Sequence, residues 1–160
     1  MFRRTLLASA ATAVIGCAID SRAAAPKFRA KTLDGEALDN ETLKGKVVLF
    51  QFWTTWCQYC RRDESAVESI IDEYSEKGLV VVGVNVNESR KKVKQYLVGN
   101  PRSCKVVITE DTNLAAIYAA KAYPLYVAID REGKLAGTQN GAGGEAALRR
   151  LLKKAGLDEQ

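Results

Sequence analysis

Apolar positions along the chain fall into three unbroken runs, separated by stretches of a different period. Residues 47–53 (Val-Val-Leu-Phe-Gln-Phe-Trp) and 79–86 (Leu-Val-Val-Val-Gly-Val-Asn-Val) are β-branched and aromatic, too continuous for half-wet strands. They read as central strands buried on both faces, and residues 125–129 make a third. Over 59–76 the period changes: Val67, Ile70, Ile71 and Tyr74 recur at helical spacing with Arg61, Arg62, Glu64, Glu68 and Glu76 interleaved. That pattern predicts an amphipathic helix ended by Gly78. Residues 89–97 predict a polar helix with Ser89 as its N-cap, stopped before Asn100-Pro101. Residues 105–109 predict a short strand, and the alanine-rich 112–120 a helix. A turn over 130–134 sends 135–138 back antiparallel to the third strand. After a flexible gap at 141–144, residues 145–155 form a last helix with Leu148, Leu151 and Leu152 on one face. Ahead of all this, 28–39 predicts two short strands about an Asp34-Gly35 turn. Strands alternating with helices imply an α/β sheet covered on both faces. No repeat or linker divides it, so residues 26–160 read as one domain.

Composition changes little in this picture. The 160 residues are 47% hydrophobic and 27% charged, ordinary for a globular chain. The net charge is +5, with no basic run longer than Arg90-Lys91-Lys92, which reads as a solvated helix face. Nucleic-acid binding gains no support. There is no histidine at all, which removes histidine bases, Cys/His dyads and every histidine-containing zinc site.

Residues 1–25 read as an export signal or a lipoprotein anchor. Arg3 and Arg4 precede an apolar-to-small run, residues 6–19, too short and alanine-rich for a spanning helix. Val14-Ile15-Gly16-Cys17 resembles a lipobox, in which Cys17 is lipidated and becomes the first residue. Ser21-Arg22-Ala23 offers small residues for ordinary cleavage instead. Either route takes Cys17 out of the pool of free thiols, leaving Cys57, Cys60 and Cys104. The expected location is extracytoplasmic, soluble or lipid-anchored.

The chemistry centres on Trp53-Thr54-Thr55-Trp56-Cys57-Gln58-Tyr59-Cys60. Cys57 follows a strand and opens a helix, where unpaired backbone N–H groups and the helix dipole favour a thiolate. Cys60, one turn further in and expected to be more buried, can attack once Cys57 has bonded to a substrate sulfur. A structural zinc site would need two more ligands that the cysteine count does not supply. A two-thiolate Cu(I) site stays open. A permanent staple closing so small a loop would stabilise weakly.

The block from Leu43-Lys44-Gly45-Lys46 through Phe52-Trp53-Thr54-Thr55-Trp56-Cys57-Gln58-Tyr59-Cys60-Arg61, with Tyr123-Pro124 before a strand, resembles the TlpA-like family of thioredoxin-fold proteins. The similarity spans roughly residues 26–155. It implies a thioredoxin fold, a central mixed sheet flanked by helices, with an N-terminal β extension. It also implies an extracytoplasmic thiol–disulfide oxidoreductase without a cofactor, acting on protein thiols and disulfides and recharged by a membrane-bound electron donor. Cys57 is then the nucleophile and Cys60 the resolving thiol. Pro124 matches the family's cis-proline, which leaves the Tyr123 backbone free to pair with an extended substrate. Trp56 matches the tryptophan that covers the nucleophile.

Three positions depart from the family pattern. Gln51, six residues before Cys57, stands where thioredoxins carry a buried acid, so proton transfer must use water or another carboxylate. Ser65 replaces a helix-kinking proline. Gln58-Tyr59, the dipeptide that tunes reduction potential, is neither Gly-Pro nor Pro-His. Two rivals remain beside disulfide reduction. One is a copper-handling module, although such relatives add a histidine. The other is a thiol peroxidase, for which Thr54 fits the motif but Phe50 occupies its proline position. Cys104 reads as a buried or half-buried free thiol, with partner attachment as the alternative.

Overall fold

In a computed structural model, which describes residues 22–158, the central strand β3 (Val47–Trp53) is buried at every position. Its run of apolar residues serves two cores. Val47, Leu49 and Trp53 point to one face of the sheet, and Val48, Phe50 and Phe52 to the other. Gln51 shares the face of Leu49 and Trp53, a polar group placed inside the first core.

Seven strands form one mixed sheet in the order β2-β1-β5-β4-β3-β6-β7. The strands are β1 (Arg29–Thr32), β2 (Ala37–Asp39), β3, β4 (Leu79–Asn85), β5 (Lys105–Thr112), β6 (Leu125–Ile129) and β7 (Leu135–Asn140). β3 pairs parallel with β4 and antiparallel with β6, and Gln51 faces Gly83 on one side and Tyr126 on the other. The helices are α1 (Gln58–Tyr74), α2 (Arg90–Gly99), the single turn α3 (Leu114–Ile117) and α4 (Gly144–Lys154). α1 and α4 cover the Gln51 face: Val67, Ile70, Leu148 and Leu152 are among its fully buried residues. Arg149 ties the two helices together by pairing with Glu73 and Glu145 and donating to the Tyr74 hydroxyl at 3.0 Å. The opposite face is closed by α3 and the segments flanking the two N-terminal strands, through Leu114, Phe28 and Leu43.

This is the thioredoxin fold with an N-terminal β extension, as expected. Most predicted elements sit within two residues of their expected ends. The expected helix over 112–120 is the exception: β5 continues through Thr112, and only one helical turn follows. At its start the cause is tertiary, because β1 lies along β5 and pairs Ala30 with Thr112, giving that segment a strand partner; at its far end Ala119 takes φ 48°, which a helix does not accommodate. α1 runs without interruption past Ser65 into a 3-10 turn, and Gly78 ends it at φ 92°. Residues 22–25 also belong to the fold. Ala24 bridges Lys134, and Arg22 meets the buried Asp130 carboxylate at 3.0 Å. The expected signal over 1–25, including Cys17, otherwise lies outside the described residues. No helix among those described is long and apolar enough to cross a membrane.

Candidate active site

Cys57 is the N-cap of α1, in extended backbone conformation, and its Sγ accepts the Cys60 N–H at 3.1 Å. A sulfur in this position takes up a helix N–H that has no backbone acceptor and sits at the positive end of the dipole. Both effects favour its ionised form. Cys57 and Cys60 are joined as a disulfide. The two residues are almost equally covered, 4% and 3% exposed, so the greater burial expected of Cys60 is slight. What separates them is access. Cys57 lines an open groove of about 360 Å³ together with Trp56, Gln58, Tyr59, Lys121, Ala122 and Tyr123, whereas Cys60 lies behind it.

The groove walls are aromatic. Trp56 is 66% exposed and Tyr59 50%, so neither is a core residue. The Trp56 ring stands edge-on to Tyr123, with centroids 6.2 Å apart. Tyr123 is held from behind by its hydroxyl, which donates to the Ala120 carbonyl at 3.1 Å. The Tyr123–Pro124 peptide bond is cis, as the resemblance implied. Tertiary structure thus brings Trp56, Tyr59 and Tyr123, from two distant segments, around one sulfur.

Behind the cysteines lies a buried polar chain that sequence reading found only in part. Gln51 is fully buried; its amide donates to the Tyr126 hydroxyl at 3.2 Å and its carbonyl accepts from Arg102. Tyr126 in turn donates to Asp63 Oδ2 at 3.0 Å, while Gly144 N–H donates to Asp63 Oδ1 at 3.1 Å. Burial and the adjacent Asp63 carboxylate push the Tyr126 phenol well above its usual range, so it remains a donor. Asp63 is therefore a buried carboxylate, 2% exposed, on the second turn of α1. The signal was present in the pattern. Cys60, Asp63, Val67, Ile70 and Tyr74 form one buried helical stripe, and Asp63 is its single acidic member.

A second carboxylate fixes the approach to Cys57. Glu88 Oε2 accepts from the Thr55 N–H at 2.7 Å and Asn85 Nδ2 at 2.8 Å, and Oε1 accepts from the Thr55 hydroxyl at 2.7 Å. Lys92 pairs with Oε1 at 2.8 Å, and the Glu88 side chain is 4% exposed. Burial alone would raise the Glu88 carboxyl. The bonds from Lys92, Thr55 and Asn85 outweigh it and hold the group at about 2. Arg61 closes the same loop by donating to the Thr55 carbonyl at 2.8 Å. Sequence reading missed Glu88 because its partners come from a loop, the end of β4 and a helix.

Cys104 is a buried free thiol, pushed up by burial and only partly drawn back by nearby Arg102. Among the described residues no group of three or more acidic, cysteine or histidine side chains gathers to hold a metal.

The family model described as Redoxin matches residues 20–152. Thiol-disulfide oxidoreductase ResA of Bacillus cereus (strain ZK / E33L) is 29% identical over 111 residues, 69% of this chain and 64% of that relative. Thioredoxin-like protein YneN of Bacillus subtilis (strain 168) is 35% identical over 116 residues, 68% of this chain and 65% of its own length. The matches therefore span just under two thirds of these two curated relatives. Among solved structures, a thiol:disulfide interchange protein of Chlorobium tepidum TLS superposes with a TM-score of 0.74 at 26% identity, covering 85% of this chain and 97% of that one. The pneumococcal exposed lipoprotein thioredoxin Etrx1 of Streptococcus pneumoniae strain TIGR4 gives 0.70 at 26%, covering 81% and 99%. The chain belongs to the redoxin family.

Proposed function

We propose that this redoxin-family chain is an extracytoplasmic thiol–disulfide oxidoreductase that reduces disulfides of partner proteins through the Cys57–Cys60 couple. One observation carries the reading: Cys57 Sγ caps α1 at 3.1 Å from the Cys60 N–H and faces an open groove, with its partner sulfur one turn behind. In the reduced protein the Cys57 thiolate attacks a substrate disulfide, forming a Cys57–substrate bond and expelling one substrate thiolate. Cys60 loses its proton and attacks Cys57, which releases the second substrate thiolate and leaves the Cys57–Cys60 disulfide. Two electrons have then passed to the substrate. An external dithiol donor, membrane-bound by analogy with relatives, must return them.

Asp63 is assigned to take the Cys60 proton, since it is the buried carboxylate on the same stripe of α1 one turn away. Gln51 and Tyr126 hold it in place by hydrogen bonding. Trp56 and Tyr123 border the substrate groove, with Pro124 following Tyr123 through the cis bond, while Gln58 and Tyr59 lie between the two cysteines and tune their potential.

A mature chain tethered through a lipidated Cys17 suits the fold better than cleavage after Ala23. Arg22 supplies a cation to the 3%-exposed Asp130 carboxylate, and cutting after Ala23 would remove it. Similarity to an exposed lipoprotein thioredoxin supports the same reading. Mass spectrometry of the exported protein should find a lipidated N-terminus at Cys17; a chain starting at residue 24 would overturn the tether.

The assay for the activity is insulin reduction by the pre-reduced protein. Cys57→Ser should abolish it, and Cys60→Ser should trap a mixed disulfide with substrate. Full activity in Cys57→Ser would overturn the assignment.

A further inference from the structure

We infer that the groove at Cys57 selects disulfides set in acidic polypeptide segments. The inference rests on the disulfide-exchange reading above and adds a substrate class to it. Three exposed cations lie on the segments that build the groove: Lys121 lines it, Arg62 sits over the ring of its wall residue Tyr59, and Arg61 precedes Arg62 on α1. None forms an ion pair among the described residues. Arg62 lies 5.6 Å over the Tyr59 ring, which holds its charge against the groove wall. Arg61 is turned toward the Thr55 carbonyl and the Tyr96 ring rather than toward an anion. Lys121 lines the groove beside Tyr123 on the opposite side.

Among the described residues no acid lines the groove, and the acids on the neighbouring segments are engaged elsewhere. Asp63 is buried and accepts from Tyr126 and Gly144. Glu88 is buried and saturated by Thr55, Asn85 and Lys92. Glu64 accepts from the Tyr96 hydroxyl. The first turn of α1 contains no acid, so the helix dipole adds to the positive field at its N-terminus.

Exposed aromatics complete the surface. Among the described residues, apart from Val98, the exposed large apolar side chains are Trp56 and Tyr59, before and after Cys57 in the chain. Their faces would take an apolar side chain next to the substrate cysteine, while carboxylates further along the segment reach Arg62 and Lys121. A basic segment would meet like charge in the same place. The exchange itself is the reduction set out above; only the rate of encounter and the hold on the segment change.

The test is single-turnover reduction by the pre-reduced protein of two peptides that share one disulfide ring and differ only in flanking glutamates or lysines. The acidic peptide should react about tenfold faster at low salt, as expected for steering by a few exposed charges. The advantage should shrink to about twofold or less in 0.5 M salt, where screening is nearly complete beyond contact distance. Arg62→Glu/Lys121→Glu should invert the order, with the basic peptide gaining in absolute rate, which a misfolded variant cannot do. Equal rates for the two wild-type reactions, or a preference insensitive to salt, would overturn the inference. A separate arm uses the neutral 2-hydroxyethyl disulfide with the wild-type protein. If that compound is reduced and the peptides are not distinguished, only the substrate class fails. If it is not reduced, the exchange reading fails.

Discussion

Neutralising Glu88 should change the acid sensitivity of this protein in a way its geometry allows to be calculated. In the folded chain the Glu88 carboxyl is held at about 2, against an ordinary value of 4.5. At 1.36 kcal/mol per unit, that difference corresponds to about 3 kcal/mol of stability that depends on the ionised form. Because the folded value is depressed, the contribution is complete above about pH 4.5 and is lost as pH falls through about 2. Glu88→Gln keeps the shape but not the acceptors. One end of the amide becomes an NH2 facing either the Thr55 N–H and Asn85 Nδ2, or the Thr55 hydroxyl and Lys92. The cost at neutral pH should be about 2–4 kcal/mol, in line with a buried charged hydrogen-bonding group left mispaired. Denaturant titrations of both proteins from neutral pH down to about pH 2 make the comparison. The variant should start less stable and lose less on acidification, so that the two curves converge. Parallel curves, with the same loss for both proteins, would refute the argument. The same variant frees Thr55, which precedes the nucleophile by two residues, so disulfide reduction should also slow.

Asp63→Asn cannot take a proton and keeps only one of the two acceptor oxygens, and it should slow attack by Cys60 about tenfold to a hundredfold. The mixed disulfide would accumulate in single-turnover quenches; its absence would remove Asp63 from the proton path. Cys104, buried and pushed up, should resist iodoacetamide in the native reduced protein while Cys57 is alkylated, and peptide mapping reads both sites. Gly83→Ala would place a methyl 3.0 Å from Cys104 Sγ, 3.2 Å from Trp53 Nε1 and 3.3 Å from Arg102 Nη1. It should cost about 1–2 kcal/mol by crowding, seen as a lower denaturation midpoint, and should disturb the bond from Arg102 to Gln51.

Local pattern alone determined the central strands, the long helix after the cysteine pair and the sulfur at its first position. Each depends on neighbours within a few residues: unbroken β-branched runs, a helical stripe, and a cysteine directly before a turn of backbone N–H groups. Cys57 as N-cap and Cys60 one turn later follow from chain geometry that any helix there would impose. Tertiary structure decided the rest. Residues 105–112 form a strand to its end because β1 supplies a partner from far away in the chain, and the alanine-rich stretch after it keeps only one helical turn before Ala119 takes a left-handed backbone. Gln51 could be recognised as unable to titrate, but the buried acid nearest to it in the hydrogen-bond chain, Asp63, is joined to it only through Tyr126 from another strand. Glu88 gains its depressed carboxyl from Thr55, Asn85 and Lys92, none of which marks it in the linear chain. Hydrogen-bond satisfaction and field strength depend on which groups meet across the sheet, and those meetings exist only once the strands have paired and the helices have packed.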